Sequence, residues 1–483
     1  MQNVIIFLFF FMVAIAFMFF SFLQKAKKET ALAINAILRE ISLEFGETYF
    51  FSMGIYKAVK DLLLLGGKRA EEAFYQLNKG KVELARDYLA ANGKTYSAAV
   101  LSSLFNHELG EEMFRSLRKS DMADLQLAYL YLVQGRKEKA AELLNGINLK
   151  KINNSECAIF YYCRAKLALD NGDLYNASID VAESIKIFHK NNSFFEEAKA
   201  YILSGEIYRI SALVDMAYFM YEEAKKIAEK HHLDALKADV LGSIGMLMTM
   251  QERFSVAHDV FFQALEINRE MKRDEACACL YNQLGLLKLL DKKYGESTDY
   301  INLALSYAIL EANAFSFELM AKVNFEKGKY EETVKCAHTA QKKYWKCNNL
   351  TAYFESMYLE ALSLFNLKKY QESEGKIRHL LDIANENESA FHTANAYSLL
   401  GSICMKREKF SSAKTFFEEA IRHELRNGRA EGMVSDYLNL GIIARNCGDE
   451  EGAQMNFNEA QRYANEAQND ELCEIVKKYI NEA

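Results

Sequence analysis

The histidines and cysteines of this 483-residue chain are the residues whose types and spacing could perform metal or nucleophile chemistry. Histidine precedes glutamate at His107-Glu108 and His423-Glu424, but neither pair has the second histidine four residues after the first that a zinc-protease helix requires. Cys277 and Cys279 lack a second cysteine pair, and residues two apart point away from each other on a helix. The sequence therefore predicts no metal site and no catalytic residue.

Other sequence signals of catalysis are missing as well. The chain has no phosphate-binding loop, dinucleotide fingerprint or nucleophile elbow, and its acidic residues are spread along helix faces. We therefore expect no enzyme, no cofactor and no small-molecule substrate. The net charge of −7 and the pI of about 5.9 argue against a nucleic-acid partner. The nine cysteines show no repeated spacing, which indicates reduced thiols in a reducing compartment.

A fixed spacing of small and large apolar residues organises the chain. Leu400-Gly401 is followed by Ala413, Phe417 and Ala420, and 40 residues later Leu440-Gly441 is followed by Ala453, Phe457 and Ala460. The same frame begins at Gly205, Gly245, Gly285 and Ala361, with one step contracted to 36 residues at Ala321. A period of this size indicates stacked units of two helices each. The small residues let the two helices approach closely, while the large ones fill the surrounding space.

This frame resembles the tetratricopeptide repeat in its longer, 40-residue version, over roughly residues 67 to 460. The resemblance implies an all-α, right-handed superhelical solenoid, in which we count about eleven helix-turn-helix repeats. The usual repeat ends on a proline, whereas this chain contains none. We therefore expect tight turns made by Gly, Asn or Asp.

Gly245 is predicted to lie where two helices nearly touch. A Gly245→Leu substitution should force them apart, since overpacking typically costs about 1–3 kcal/mol. Gly245→Ala is expected to be mild or stabilising, because glycine is penalised by about 1 kcal/mol inside helices.

The N-terminal run Val4–Leu23 contains 20 residues, of which only Ser21 is polar. As a helix it would span roughly 30 Å, the thickness of a bilayer's hydrocarbon core. A cleaved signal peptide or a buried core helix are the alternatives. The signal peptide is disfavoured because residues 1–3 carry no basic side chain and the run has no cleavage signature. We therefore predict a membrane anchor over residues 1–23, with the membrane as a partner of residues 4–23.

Charge predicts the orientation of this anchor. Lys25, Lys27 and Lys28 follow the run and nothing basic precedes it, so the positive-inside rule places the repeats in the cytoplasm. A single-pass protein of a bacterial inner membrane is the expected localisation.

Two further segments flank the repeats. Residues 24–66 are predicted to form juxtamembrane helices, whose apolar stripe could lie on lipid or pack onto the first repeat. The stripe consists of Leu32, Ile34, Ile37, Leu38, Ile41 and Phe45. Residues 461–483 are predicted to form a C-terminal capping helix with a polar outer face.

In the family that the chain resembles, the first helix of each repeat lines the concave face. Three adjacent repeats present apolar residues at such positions, where a soluble surface would be polar. The predicted partner-binding residues are Asn282, Leu286, Leu289, Glu318, Lys322, Phe325, Tyr358, Leu362 and Phe365. The alternative is that curvature buries them against the neighbouring repeat.

Two functions remain open from the sequence. The first is a membrane-tethered scaffold or adaptor that binds a partner peptide or helix in the concave groove. The second is a peptide-sensing regulator, like soluble sensors built from 40-residue repeats. Those sensors carry an effector module ahead of the repeats, where this chain has its apolar run, so we favour the scaffold.

Overall fold

The computed structural model describes residues 52–481 apart from 78, 80, 106, 118, 119, 348, 388 and 468. The apolar run 4–23, the basic cluster at residues 25–28 and the apolar stripe of residues 32–45 lie outside the described residues. Within the described part of the chain, no helix is both long enough and apolar enough to cross a membrane.

The described residues form 24 helices and no strand, which confirms the all-helical prediction. They divide into unit 1, ending at Cys277, and unit 2, beginning at Ala278. The helices of unit 1 are α1 Ser52–Leu65, α2 Gly67–Leu77, α3 Glu83–Ala91, α4 Thr95–Phe105, α5 His107–Ser116, α6 Asp121–Val133, α7 Lys137–Gly146, α8 Asn154–Asp170, α9 Leu174–Lys190, α10 Phe194–Ile210, α11 Val214–Lys230, α12 Asp234–Met250 and α13 Phe254–Glu270.

The helix α14 Asp274–Leu290 begins in unit 1 and has most of its residues in unit 2. The other helices of unit 2 are α15 Tyr294–Ser306, α16 Leu310–Glu326, α17 Tyr330–Lys346, α18 Leu350–Asn366, α19 Tyr370–Glu386, α20 Ala390–Lys406, α21 Phe410–Asn427, α22 Ala430–Asn446, α23 Glu450–Glu466 and α24 Asp470–Asn481. The closing helix is thus α24; residues 461–466, which we expected to open it, complete α23.

Within each unit, consecutive helices pack as hairpins. From α10 onward the first helix of each hairpin has 17 residues, and three residues connect it to the second helix. First helices begin at residues 194, 234, 274, 310, 350, 390 and 430. The single 36-residue step arises because α15 has 13 residues and not the 17 of α13.

The two helices of a hairpin approach most closely where the twelfth residue of the first faces the eighth residue of the second. A Cβ atom added to Gly245 would lie 2.5 Å from a ring carbon of Phe261, and Phe261 is fully buried. The ring therefore occupies the space that any side chain at position 245 would need. The same contact joins Gly205 to Tyr221, Gly401 to Phe417 and Gly441 to Phe457.

The sizes of the facing residues, the twelfth of the first helix and the eighth of the second, are correlated: the smaller side chain Ile takes the place of the ring in some hairpins. Gly285 faces the smaller Ile301, and Ala361 shares the register of Ile377. Serine can also stand at the fourth position of the second helix, where most hairpins have alanine. The hydroxyls of Ser297 and Ser373 each donate a 2.7 Å hydrogen bond to the carbonyl of the facing Gly285 or Ala361. The close approach is thus kept while its side chains vary.

Turns that need no proline close the hairpins. At the end of α10, Ala212 has a φ of 57°, and the N–H of Leu213 donates to the carbonyl of Tyr208 at 2.9 Å. This is the six-to-one bond of a Schellman cap, and it leaves one residue left-handed. Our expectation of Gly, Asn or Asp there holds only in part. In the described part of the chain, the non-glycine residues with positive φ are Asn192, Ala212, His232, Glu252, Lys272, Lys292, Ala308, Lys368 and Glu408.

The contact at Gly245 reverses our expectation for its alanine variant. Gly245→Ala should destabilise the chain by about 1–3 kcal/mol, since the added Cβ meets a buried ring that has no free space to enter. Thermal and chemical unfolding of the purified chain measure the change. The double variant Gly245→Ala/Phe261→Ile reproduces the Ala361–Ile377 combination, so it should be more stable than the sum of its single variants.

Gly375 provides the matched control. It lies inside α19 with no atom within 4 Å of an added Cβ. Gly375→Ala should therefore be neutral or stabilising by up to about 1 kcal/mol. Equal effects at positions 245 and 375 would contradict the packing that we describe.

Candidate functional site

The first helices of unit 2 lie side by side. Helix α16 contacts α18, α18 contacts α20, and α20 contacts α22. Tyr358 of α18 is close enough to Asp436 of α22, two repeats away, for the Asp436 carboxyl to raise the pKa of Tyr358. We call the side of unit 2 formed by α16, α18, α20 and α22 the inner face.

A pocket of about 490 Å³ lies among α16, α17 and α18 in unit 2. Side chains from all three helices and from the turn between α17 and α18 line it. The lining residues are Phe315, Glu318, Lys322, Tyr344, Cys347, Asn349, Ala352 and Glu355. We call it the Glu318 pocket.

Glu318 is the centre of this pocket. Its side chain is only 4% exposed, and both carboxylate oxygens have a partner. One oxygen pairs with the Lys322 ammonium at 2.5 Å, and the other accepts the hydroxyl of Tyr344 at 2.5 Å. A buried carboxylate requires such partners, because an unpaired charge in the interior is strongly unfavourable.

A second carboxyl of the pocket belongs to Glu355. Glu355 is exposed as a whole residue, but its carboxyl is partly withdrawn from water, which raises its pKa; the ammonium of Lys322 opposes the rise and the carboxyl of Glu318 adds to it. Burial, followed by the charge of Glu318, also raises the pKa of Tyr344. Tyr344 thus remains a protonated hydrogen-bond donor at neutral pH, while two carboxyls and one ammonium share the pocket.

Another buried acid lies further along the inner face. Asp436 is 1% exposed and accepts the hydroxyl of Ser398 at 2.9 Å through one oxygen, while its Oδ1 has no hydrogen-bond partner. Glu424, which is also 1% exposed, pairs with Arg429 at 3.3 Å. Burial raises the pKa of Asp436 to about 8; the bond from Ser398 opposes the rise, and the charge of Glu424 adds to it.

The predicted partner-binding residues all lie in unit 2, and the structure brings only some of them together. Glu318 and Lys322 form an ion pair in the Glu318 pocket. Tyr358 on α18 is half-buried and, like Leu362 and Phe365, packs against the core between α18 and α20. Burial raises its pKa; Asp436 adds to the rise and Arg429 opposes it.

The other predicted residues take part in helix packing. Asn282 is buried and holds α14 to α16, donating to the carbonyl of Ala312 at 2.8 Å and accepting the hydroxyl of Ser316 at 2.7 Å. Leu289 is also buried, and Leu286 packs beside it against the same cluster.

Phe325 contacts Tyr330 and Phe365 contacts Tyr370, with ring centroids 5.4 and 5.6 Å apart. Leu362 and Phe365 are partly buried against the core between α18 and α20. Whether a partner also contacts these residues stays a prediction.

The sequence reasoning missed Tyr344, Glu355, Asp436 and Glu424, although the repeat frame contains a signal for three of them. The seventh residue of every first helix from α10 to α22 is buried, and Asp436 is the only charged one among them. The fifteenth residue is buried too in the six second helices from α11 onward that are long enough to have one, and it is alanine in three of them. Tyr344 and Glu424 occupy that position, so polar residues at buried frame positions mark both polar clusters.

Unit 1 has polar groups of its own on its first helices. Lys199 of α10 donates to the hydroxyl of Tyr129 at 2.8 Å and lies 5.1 Å from the centre of that ring. Glu206 and Arg209, which follow on the same helix, pair with each other.

The residues considered for metal chemistry are dispersed. Cys277 is buried, whereas Cys279 is exposed. In the described part of the chain, no three or more His, Cys, Asp or Glu side chains gather in a group that could hold a metal ion.

Comparison with known proteins concerns the fold. No family model matches the chain, and no curated protein matches it. The apo form of the quorum sensor NprR from B. thuringiensis is similar over 85% of this chain and 98% of its own, with 16% identity and a TM-score of 0.50. The fold is that of tetratricopeptide-like helical repeats.

Two further solved structures match this tetratricopeptide-like chain. A Rap protein complexed with Competence and Sporulation Factor is 16% identical over 75% of this chain and 99% of its own, with a TM-score of 0.49. A tetratricopeptide repeat protein from Parabacteroides merdae is 18% identical over 58% of this chain and 99% of its own, with a TM-score of 0.38.

The buried carboxyl of Asp436 should make the stability of unit 2 depend on pH. Its pKa of about 8 in the folded chain exceeds its ordinary value of 3.8, so folding favours the protonated form. Stability should therefore fall as pH rises from about 4 to about 8. Asp436→Asn keeps an acceptor for Ser398 without the charge. This variant should be more stable than the parent by several kcal/mol, up to about 5, at pH 8, and its free energy of unfolding should match that of the parent near pH 4.

Denaturant unfolding at several pH values measures this difference. Asp382→Asn is the control, because Asp382 is exposed on α19. Parallel pH profiles for the parent and Asp436→Asn would show that position 436 is charged in the folded chain at neutral pH.

Proposed function

We propose that this chain binds a protein or peptide partner along the inner face of unit 2 and acts as a scaffold or adaptor without catalytic activity. The observation that carries the proposal is the Glu318 pocket, which opens among α16, α17 and α18 and is lined by aromatic, polar and charged side chains. Such a mixture of apolar walls and a few oriented polar groups is typical of binding sites.

The inner face extends this site beyond the pocket. Tyr358 is half-buried there, and the carboxyl of Asp436, whose Oδ1 has no hydrogen-bond partner, is near enough to affect the pKa of Tyr358. A buried polar atom without a partner is uncommon in folded proteins. A partner segment running along α16, α18 and α20 would contact the pocket and Tyr358 together.

The attachment to a membrane is part of the proposal and rests on the sequence alone. The apolar run Val4–Leu23 has the length of a bilayer span, and Lys25, Lys27 and Lys28 follow it. Such an anchor would hold the repeats at the cytoplasmic side of the membrane and concentrate the partner there.

A peptide-sensing regulator is the second candidate function. It is favoured by the similarity to NprR, which is described as a quorum sensor and has this fold over 85% of the present chain. In that case, the partner on the inner face would be a signal peptide and not a second component of an assembly.

Site-specific photocrosslinking in cells tests the inner face. A photoreactive phenylalanine placed at Tyr358 should crosslink one partner species, because this half-buried residue lies on α18, one of the helices along which we propose that the partner runs. The same residue at Tyr175, which is 75% exposed on α9 of unit 1, is the control and should capture no such species. Capture of the same partner at Tyr175 alone would move the site away from the inner face.

Thiol labelling in cells tests the membrane orientation. Cys447 is exposed at the end of α22, so a membrane-impermeant maleimide should label it only after the inner membrane is permeabilised. A Cys447→Ser variant identifies the labelled site. Labelling of Cys447 by a reagent that has reached only the outer side of the inner membrane would reverse the orientation.

A further inference from the structure

The charges of the Glu318 pocket do not balance. Its lining contains the carboxyls of Glu318 and Glu355 but only one cationic side chain, that of Lys322. Lys322 pairs with Glu318. Among the described residues, none places a lysine, arginine or histidine nitrogen within 4 Å of the Glu355 carboxyl, although Glu318 repels it. One further positive charge would therefore balance the charges of the pocket.

The Lys322 ammonium is the counter-ion of Glu318, and its side chain can move away from the pocket. Its side chain is 40% exposed, and it reaches Glu318 from one turn further along α16. A lysine side chain has four rotatable bonds and a compact, strongly hydrated ammonium, so it can turn outward into water. The bond from Tyr344 would stay, because that hydroxyl is buried and holds the other oxygen of Glu318.

The walls of the pocket suit a flat cation. Phe315 and Tyr344 are aromatic, and Asn349 adds an amide at the turn that ends α17. A guanidinium stacks on aromatic faces and forms paired hydrogen bonds with carboxylates, whereas an ammonium acts as a point charge. The guanidinium of an arginine side chain could thus stack on an aromatic ring of the pocket while its N–H groups donate to the two carboxyls.

We propose that the Glu318 pocket binds an arginine side chain of the partner, whose guanidinium displaces Lys322 and bridges Glu318 and Glu355. This inference rests on the proposed function, and it names the side chain by which the partner is anchored.

Two matched probes test this recognition with the full chain in detergent. N-acetyl-arginine amide carries the guanidinium, and N-acetyl-citrulline amide is its neutral isostere. Trp345 is the chain's single tryptophan, directly follows Tyr344 and packs 5.4 Å from Tyr353, so its fluorescence can report binding. Calorimetry measures the two affinities independently of this signal. The arginine probe should bind about tenfold more tightly or better, which corresponds to about 1.4 kcal/mol.

Carboxamide variants locate the site. Glu355→Gln and Glu318→Gln should each reduce the preference for arginine over citrulline to about twofold or less, because each removes a charge that the guanidinium meets. Glu355 is exposed, so its variant is expected to fold. Glutamine at position 318 still offers Tyr344 an oxygen, and an unfolding curve verifies that the variant is folded.

A lysine variant gives a test of opposite sign. Lys322→Met removes the competing ammonium, so it should tighten binding of the arginine probe severalfold. A purely structural role of Lys322 would instead leave the affinity unchanged or weaken it. Lys376→Met is the matched control, because Lys376 pairs with the buried Glu360 at 3.0 Å outside the pocket lining. This control should leave the affinity unchanged.

Equal binding of the two probes, or an arginine preference that survives both carboxamide variants, would overturn the inference. Partner crosslinking at Tyr358 without any arginine preference would overturn it as well, while leaving the proposed function in place. An arginine preference without a partner at Tyr358 would support the pocket and contradict the proposed function.

Discussion

The repeats depend on one steric condition, which is that the backbones of two helices come close enough for a single side chain to fill the gap between them. In four hairpins that side chain is an aromatic ring and the residue it faces is glycine. Gly245 and Phe261 show how little room remains, since an added Cβ would overlap the ring. The helix accepts the unfavourable propensity of glycine at this point because the buried ring contributes more by its packing.

The repeat frame also explains where chemistry appears in this chain. Most buried frame positions hold alanine or another small or apolar residue, so a polar residue there needs a partner from a neighbouring helix. The Tyr344 hydroxyl donates a hydrogen bond to Glu318, and Glu424 forms an ion pair with Arg429. Both clusters place a carboxyl in the interior, that of Glu318 or that of Glu424, where burial favours the neutral or the ion-paired form of the group. These two polar clusters are therefore departures from an otherwise regular packing pattern, as is the buried Glu360, which pairs with Gln341 and Lys376.

The inner face of unit 2 combines these clusters with half-buried aromatic residues. Tyr358 lies between them along the chain and is influenced by Asp436, two repeats away. A partner-binding surface on this face would be assembled from several hairpins at once, so its geometry would depend on how each hairpin is rotated against the next. Partners that contact several repeats would therefore be sensitive to packing changes far from the contact itself.

The sequence by itself determined the helix pairs, their 40-residue spacing and the 36-residue step, because all three follow from contacts between residues close together in the chain. The pairing of Gly245 with Phe261 is an example, since 16 residues and one turn bring them together. Only the tertiary structure showed that Glu318, Tyr344 and Glu355, from three helices, share one pocket. It also showed that Asn282 is used to join α14 to α16. The period says which residues face a neighbouring helix, but the rotation between successive hairpins, set by the side chains packed between them, decides which of those residues meet.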